Sequence, residues 1–62
     1  MNLLDLIHDH LADCGPMTAS DVHTAIDPER ISRMAITQDL HRLLKAGRVT
    51  HAKSGVWSAV TD

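Results

Sequence analysis

The sequence predicts a mainly α-helical domain that ends in a β-hairpin. Three stretches place apolar residues three and four positions apart, the spacing of one helix face, and each follows a residue suited to an N-cap, namely Asn2, Thr18 or Ser32. After Arg48 the pattern changes to two five-residue runs around Lys-Ser-Gly, which is typical of a hairpin. Since a chain of 62 residues buries only about 60% of its unfolded surface, we expect residues 1–62 to form one small domain.

The first predicted helix begins after Asn2 and stops at Gly15, which precedes a proline. Leu6 and His10 lie on the flank of its apolar stripe, where they either border the core or contact another chain. Cys14 at the end of the stripe is expected to be a buried small hydrophobe. The stripe itself consists of Leu3, Leu4, Ile7 and Leu11.

The second predicted helix is short, about two turns. Thr18 is its N-cap, and Met17 and Val22 occupy the positions of a hydrophobic staple. Asp27 ends the helix because it precedes a proline, which disfavours helical backbone angles. The expected buried face is Val22, Ala25 and Ile26.

The third predicted helix runs from about residue 33 to residue 46. Ser32 caps it, Ile31 and Ile36 form its staple, and Gly47 stands where a left-handed C-terminal residue is needed. Its expected inner face is Ile36, Leu40, Leu43 and Leu44. The opposite side carries Met34, Gln38, His41, Arg42 and Lys45, with Thr37 on its flank. Asp39 projects away from that side, which therefore has no acidic residue.

The hairpin register follows from a three-residue loop that ends in Gly55. It sets Thr50 opposite Ser58 and Ala52 opposite Val56. One face then carries Val49, His51, Trp57 and Ala59, and we expect this face to pack inward. Trp57 is the largest apolar side chain of the protein and is interpreted as a core residue.

The charges are divided along the chain. Residues 1–29 hold six carboxylates and no Lys or Arg, a charge of −6, whereas residues 30–53 hold six Lys or Arg and only Asp39, a charge of +5. Asp62 completes the net charge of −2. Such asymmetry suggests a polyanionic partner for the second half.

From Ile31 to Val49 the sequence reads I-S-R-M-A-I-T-Q-D-L-H-R-L-L-K-A-G-R-V. This stretch resembles the recognition helix and first wing strand of small bacterial and phage winged helix-turn-helix regulators. The order of three helices, the second short, followed by a hairpin extends the resemblance to the whole chain. The resemblance implies a winged-helix fold and sequence-specific binding of double-stranded DNA in transcription regulation.

The resemblance also implies roles for single residues. Residues 19–46 form the helix-turn-helix, and the third helix enters the major groove. The positions that approach base edges correspond to Arg33, Met34, Thr37, Gln38 and His41. Contacts to the DNA backbone correspond to Ser32, Arg42 and Lys45, and the wing to His51, Lys53 and Ser54, against backbone or minor groove.

Two features depart from strong DNA binders of this kind. The wing carries one basic residue, and Asp21 and Asp27 lie near the edge of the expected contact surface. One copy would contact few phosphates, so we expect weak, salt-dependent binding and a homodimer or a DNA-bound protein partner as the working unit. The alternative hypothesis is a protein-interaction module, an adaptor or inhibitor that presents the acidic N-terminal half.

Catalysis, metal binding and cofactor binding are not expected. His10 and Cys14 lie four residues apart, but two ligands do not complete a zinc site. The chain has no glycine-rich phosphate loop and is too short to enclose a substrate pocket. With no apolar run of the ~18 residues that a membrane span requires and no signal-peptide pattern, the expected location is the cytoplasm.

Overall fold

The computed structural model describes residues 2–60 and contains three helices and a three-stranded antiparallel sheet in that range. The helices are α1 (Leu3–Cys14), α2 (Ala19–Ala25) and α3 (Arg33–Lys45). The strands are β1 (Met17–Thr18), β2 (Val49–His51) and β3 (Val56–Ala59). The prediction of a mainly helical chain with a β-hairpin is confirmed. None of the described helices combines the length and the apolar character that a membrane crossing requires.

The helices begin where the predicted caps lie. The side-chain oxygens of Asn2, Thr18 and Ser32 each accept a hydrogen bond from the backbone N–H three residues later, at 2.9, 3.1 and 3.1 Å. Each bond satisfies an N–H group that has no partner within its helix. The local sequence therefore sets all three helix starts.

The end of α3 is a Schellman motif. Gly47 has a φ of 77°, and its N–H donates to the Leu44 carbonyl at 3.0 Å. The N–H of Arg48 donates to the Leu43 carbonyl at 2.9 Å. These two bonds satisfy helix-terminal carbonyls and turn the chain directly into β2.

β3 is the central strand, because the sheet order is β1–β3–β2. The predicted hairpin register is confirmed: Thr50 pairs with Ser58, and the Ala52 N–H donates to the Val56 carbonyl at 2.9 Å. β1 was not predicted. Its two residues pair with β3, Met17 opposite Trp57, and two residues are too few to show the alternation by which a strand is found in a sequence.

The core lies where the helices meet the inner face of the hairpin. Its buried residues are Ile7, Leu11, Val22, Ile36, Leu40, Leu43, Val49 and Trp57. Leu3, Leu4, Ile26, Ile31 and Ala59 pack against them half-buried, as does Met17 of β1.

The predicted burial of four residues is wrong, because all four are exposed. Leu44 is 38% exposed, since the buried face of α3 is rotated toward Asp39, which is only 8% exposed. Ala25 and Cys14 are exposed because each is the last residue of its helix, where the chain leaves the core. His51 shares the inward face of the hairpin but is exposed, because it lies at the end of β2.

Polar contacts between distant residues hold the helices in place. The Arg48 guanidinium, directly before β2, lies 3.2 Å from the Asp5 carboxylate of α1. The Nε2–H of His23 donates to the Ile31 carbonyl at 2.7 Å and so ties α2 to the segment before α3. His8 makes a similar bond to the Val60 carbonyl at 3.3 Å.

Trp57→Ala is expected to lower the free energy of unfolding by about 3–5 kcal/mol, because it leaves a large cavity in the core. A loss of that size is comparable to the whole stability of so small a domain, roughly 3–5 kcal/mol, so the variant should be largely unfolded. Thermal and urea melts followed by circular dichroism measure the effect. Ser58→Ala, on the other face of β3, is the matched control. A cooperative melt of Trp57→Ala close to that of the parent would show that the tryptophan does not close the core.

Gly47→Ala is expected to cost about 1–2 kcal/mol through backbone strain, since an L-residue disfavours a positive φ. Nothing lies within 4 Å of the added Cβ, so steric clash contributes nothing. Gly47→Asn is the control, because asparagine tolerates the left-handed conformation better. Denaturant melts that place both variants at equal stability would contradict this explanation.

Candidate functional site

The outward side of α3 presents one row of exposed side chains. We call this row the α3 outer face: Met34, Gln38, His41 and Lys45. Their spacing of four, three and four residues aligns them along the helix. Met34 is 70% exposed, an unusual position for a large apolar side chain. The face therefore combines an apolar contact, an amide and two groups that can carry positive charge.

Asp39, the one acidic residue in the segment 30–53, is withdrawn from this face. It is buried to 8% exposure, and its carboxylate lies 3.3 Å from the Arg42 guanidinium. The side chain of Arg42 remains 69% exposed and extends to the solvent side of the helix. The negative charge is thus inside and partly compensated, while the positive charge faces outward.

Three more of the predicted site residues, Ser32, Arg33 and Thr37, lie at the N-terminal end of α3 or in its second turn. Arg33 is exposed. Thr37 is half-buried, and its hydroxyl donates to the Arg33 carbonyl at 3.0 Å. Ser32 is exposed, but its hydroxyl oxygen already accepts the capping bond from the Ala35 N–H at 3.1 Å. Thr37 can still offer its methyl group, whereas Ser32 acts first as a helix cap.

Trp57 brings two histidines from different elements together. The His51 ring stacks on the indole with centroids 3.9 Å apart and planes at 4°. The His41 ring meets the indole edge-on, with centroids 5.2 Å apart and planes at 89°. Both imidazoles are exposed, and Trp57 is buried beneath them. This cluster joins the α3 outer face to the hairpin.

The other two predicted wing residues lie in the hairpin loop. Lys53 and Ser54 are exposed there, beyond the last residue of β2. Gly55 closes the loop with a φ of 90°. The structure thus places His41 and His51 at a common tryptophan, while Lys53 and Ser54 occupy the hairpin tip.

The sequence predicts neither the second role of Trp57 nor the role of Arg48. It assigns Trp57 only to the core, although this residue also supports both imidazoles of the site. It assigns no role to Arg48, which binds Asp5, 43 positions away and outside the site. The periodicity of the sequence showed neither contact, because both depend on how distant segments pack.

The spacing of His10 and Cys14, four residues apart on α1, would allow them to share a metal ion. The Cys14 sulfur lies 3.9 Å from His10 Nδ1, and Cys14 is exposed. Among residues 2–60, no group of three or more histidine, cysteine, aspartate or glutamate side chains is arranged to hold a metal ion. The same part of the chain contains no detectable cavity for a small ligand.

No family model, no curated protein and no solved structure matches the sequence or the fold.

Proposed function

We propose that this chain is a winged helix-turn-helix domain that binds double-stranded DNA in a sequence-specific manner. In this proposal α2 and α3 form the helix-turn-helix, α3 enters the major groove, and the β2–β3 hairpin is the wing. The protein acts as a small transcriptional regulator in the cytoplasm, without enzymatic activity or a cofactor.

The observation that carries the proposal is the charge arrangement of α3. Its outer face has no carboxylate, because the sole acidic residue of the helix, Asp39, is buried against Arg42. A helix that presents cationic and hydrogen-bonding groups along one exposed row suits the major groove, which is lined by phosphates and offers base edges.

The packing of α2 against α3 supports the same conclusion. The His23 bond to the Ile31 carbonyl, 2.7 Å long, fixes the turn between the two helices. Ser32 then caps α3, and Ser32, Arg33 and Met34 at this end of the helix are exposed. Base contact by the first half of α3 requires an accessible helix N-terminus of this kind.

The roles of the residues follow from their chemistry. Gln38 can pair with adenine through its amide, and Arg33 with guanine or a phosphate. Met34 and Thr37 supply apolar contacts to a thymine methyl group. Backbone contacts come from Ser32, Arg42 and Lys45 on α3, and from Lys53 and Ser54 at the hairpin tip.

The number of positive groups favours a working unit larger than one copy. A specific complex needs more phosphate contacts than those available from Lys45, Lys53 and Arg42. The charge of Arg42 is also partly compensated by the Asp39 carboxylate. A homodimer or a neighbouring DNA-bound protein would add the missing contacts.

A protein-interaction module is the second candidate. The outward side of α1 favours it, since Leu6 is exposed there and the Asp9 side chain is 64% exposed. An acidic face with an apolar residue suits a basic protein partner. DNA binding is preferred because the α3 outer face has no role in this second candidate.

Titration with a mixed-sequence duplex is the first test. We expect measurable binding at ~50 mM salt, with log K falling linearly against log salt as phosphate contacts release counterions. Fluorescence anisotropy of labelled duplex measures both quantities. No binding at protein concentrations well above ~10⁻⁴ M would contradict DNA binding and favour the protein-interaction candidate.

Gln38→Ala and Lys45→Ala separate base reading from backbone contact. On a site selected from random DNA, Gln38→Ala should remove roughly 1–3 kcal/mol of discrimination at one base pair. Lys45→Ala should weaken selected and random DNA alike and reduce the salt slope by about one. The two variants control for each other, since both side chains lie exposed in one row. Equal losses on selected and random DNA for Gln38→Ala would show that this residue does not read a base.

A further inference from the structure

The cluster of two imidazoles on Trp57 is a surface feature that the α3 outer face and the hairpin share. We propose that His41 and His51 together form a subsite for a single DNA backbone phosphate, and that both imidazoles are protonated when it is occupied. This inference rests on the proposed DNA binding and names one contact within it.

Both histidines contact the same indole. Their centroids lie 5.2 and 3.9 Å from that of the Trp57 ring, so their separation cannot exceed the sum of these distances. The rings are nearly perpendicular, because one is at 89° and the other at 4° to the indole plane. In the proposed subsite, the two exposed imidazoles direct N–H groups to different oxygens of one phosphate.

Trp57 fixes the position of the His51 ring. A cation over the face of an indole is attracted by the negative potential of that face, and His51 lies flat on it. The same stacking covers Trp57, which is 3% exposed. The indole is therefore a support for the imidazoles and not a platform for an unstacked base.

The surrounding charges leave the cluster without a tightly bound carboxylate. On α3, Lys45 lies one turn after His41, and Asp39 is bound to Arg42. Lys53 is the charged residue of the hairpin loop. Titratable groups on the neighbouring helices have partners of their own. On α1, Asp5 binds Arg48 and His8 binds the Val60 carbonyl. On α2, His23 binds the Ile31 carbonyl. The remaining acidic residue of α2, Asp21, is exposed, and its N–H closes the Thr18 cap.

Histidine changes its charge between pH 8 and pH 5, and a phosphate favours the imidazolium. Occupation of the subsite should therefore take up protons. The affinity for DNA should rise as the pH falls, and the salt dependence should become steeper because two more charges contact the backbone.

The test measures the binding of a mixed-sequence duplex at pH 8 and pH 6 by fluorescence anisotropy over a range of salt. The parent protein should bind about 2- to 20-fold more tightly at pH 6, as expected for two exposed charge contacts. Calorimetry in buffers of different ionisation enthalpy should show net proton uptake. His41→Gln and His51→Gln, alone and combined, keep hydrogen-bonding capacity but do not titrate.

The double variant should bind with nearly equal affinity at both pH values. At pH 6 the fold-loss in duplex affinity of the double variant should differ from the product of the fold-losses of the two single variants, because the two side chains share one ligand. His10→Gln on α1 is the matched control and should keep the pH dependence of the parent. Thermal melts at each pH exclude unfolding as the cause of any change.

The outcomes separate this inference from the proposed function. Binding with no pH dependence, or an unchanged pH dependence in the double variant, would overturn the subsite and leave DNA binding intact. A fold-loss in affinity of the double variant equal to the product of the two single losses would show two independent contacts. This result would also overturn the shared subsite. No binding of the duplex at either pH would overturn the proposed function and this subsite with it.

Discussion

Trp57 holds the sheet, the core and helix α3 together. It lies in the central strand β3, pairs with Met17 of β1 and His51 of β2, and contacts His41 of α3. It also closes the core from the hairpin side. Because the chain has one aromatic residue of the Phe, Trp and Tyr class and no disulfide, much of the apolar area that holds sheet and helices together depends on this one position.

The same residue links stability to the candidate binding surface. The core side of the indole packs against buried aliphatic residues, whereas the solvent side carries His41 and His51. The position of the hairpin relative to α3 is therefore set by core packing. A binding surface made from two separate elements needs this kind of support, since small shifts between them would separate the contacting groups.

Electrostatics organise the remainder of the surface. The acidic N-terminal segment and the basic segment 30–53 are not simply two opposed patches, because Arg48 binds Asp5 across the chain. Asp39 is buried, while its partner Arg42 on the same helix remains exposed. A buried carboxylate is costly unless it is paired, and here the burial and pairing of Asp39 leave the α3 outer face without a carboxylate.

Local rules in the sequence determined where the helices begin, where α3 ends and how the hairpin pairs. N-caps such as Ser32, the left-handed residue Gly47 and the loop glycine Gly55 act within a few residues, so their effects can be derived without knowledge of the fold. The exposed row from Met34 to Lys45 follows from helical periodicity in the same way. The tertiary structure alone decided the pairing of β1 with β3, the rotation of α3 that buries Asp39 and exposes Leu44, and the meeting of His41 with His51 on Trp57. Each of these depends on contacts between segments that are distant in the chain, and such contacts are selected by the packing of the whole core and not by local propensity.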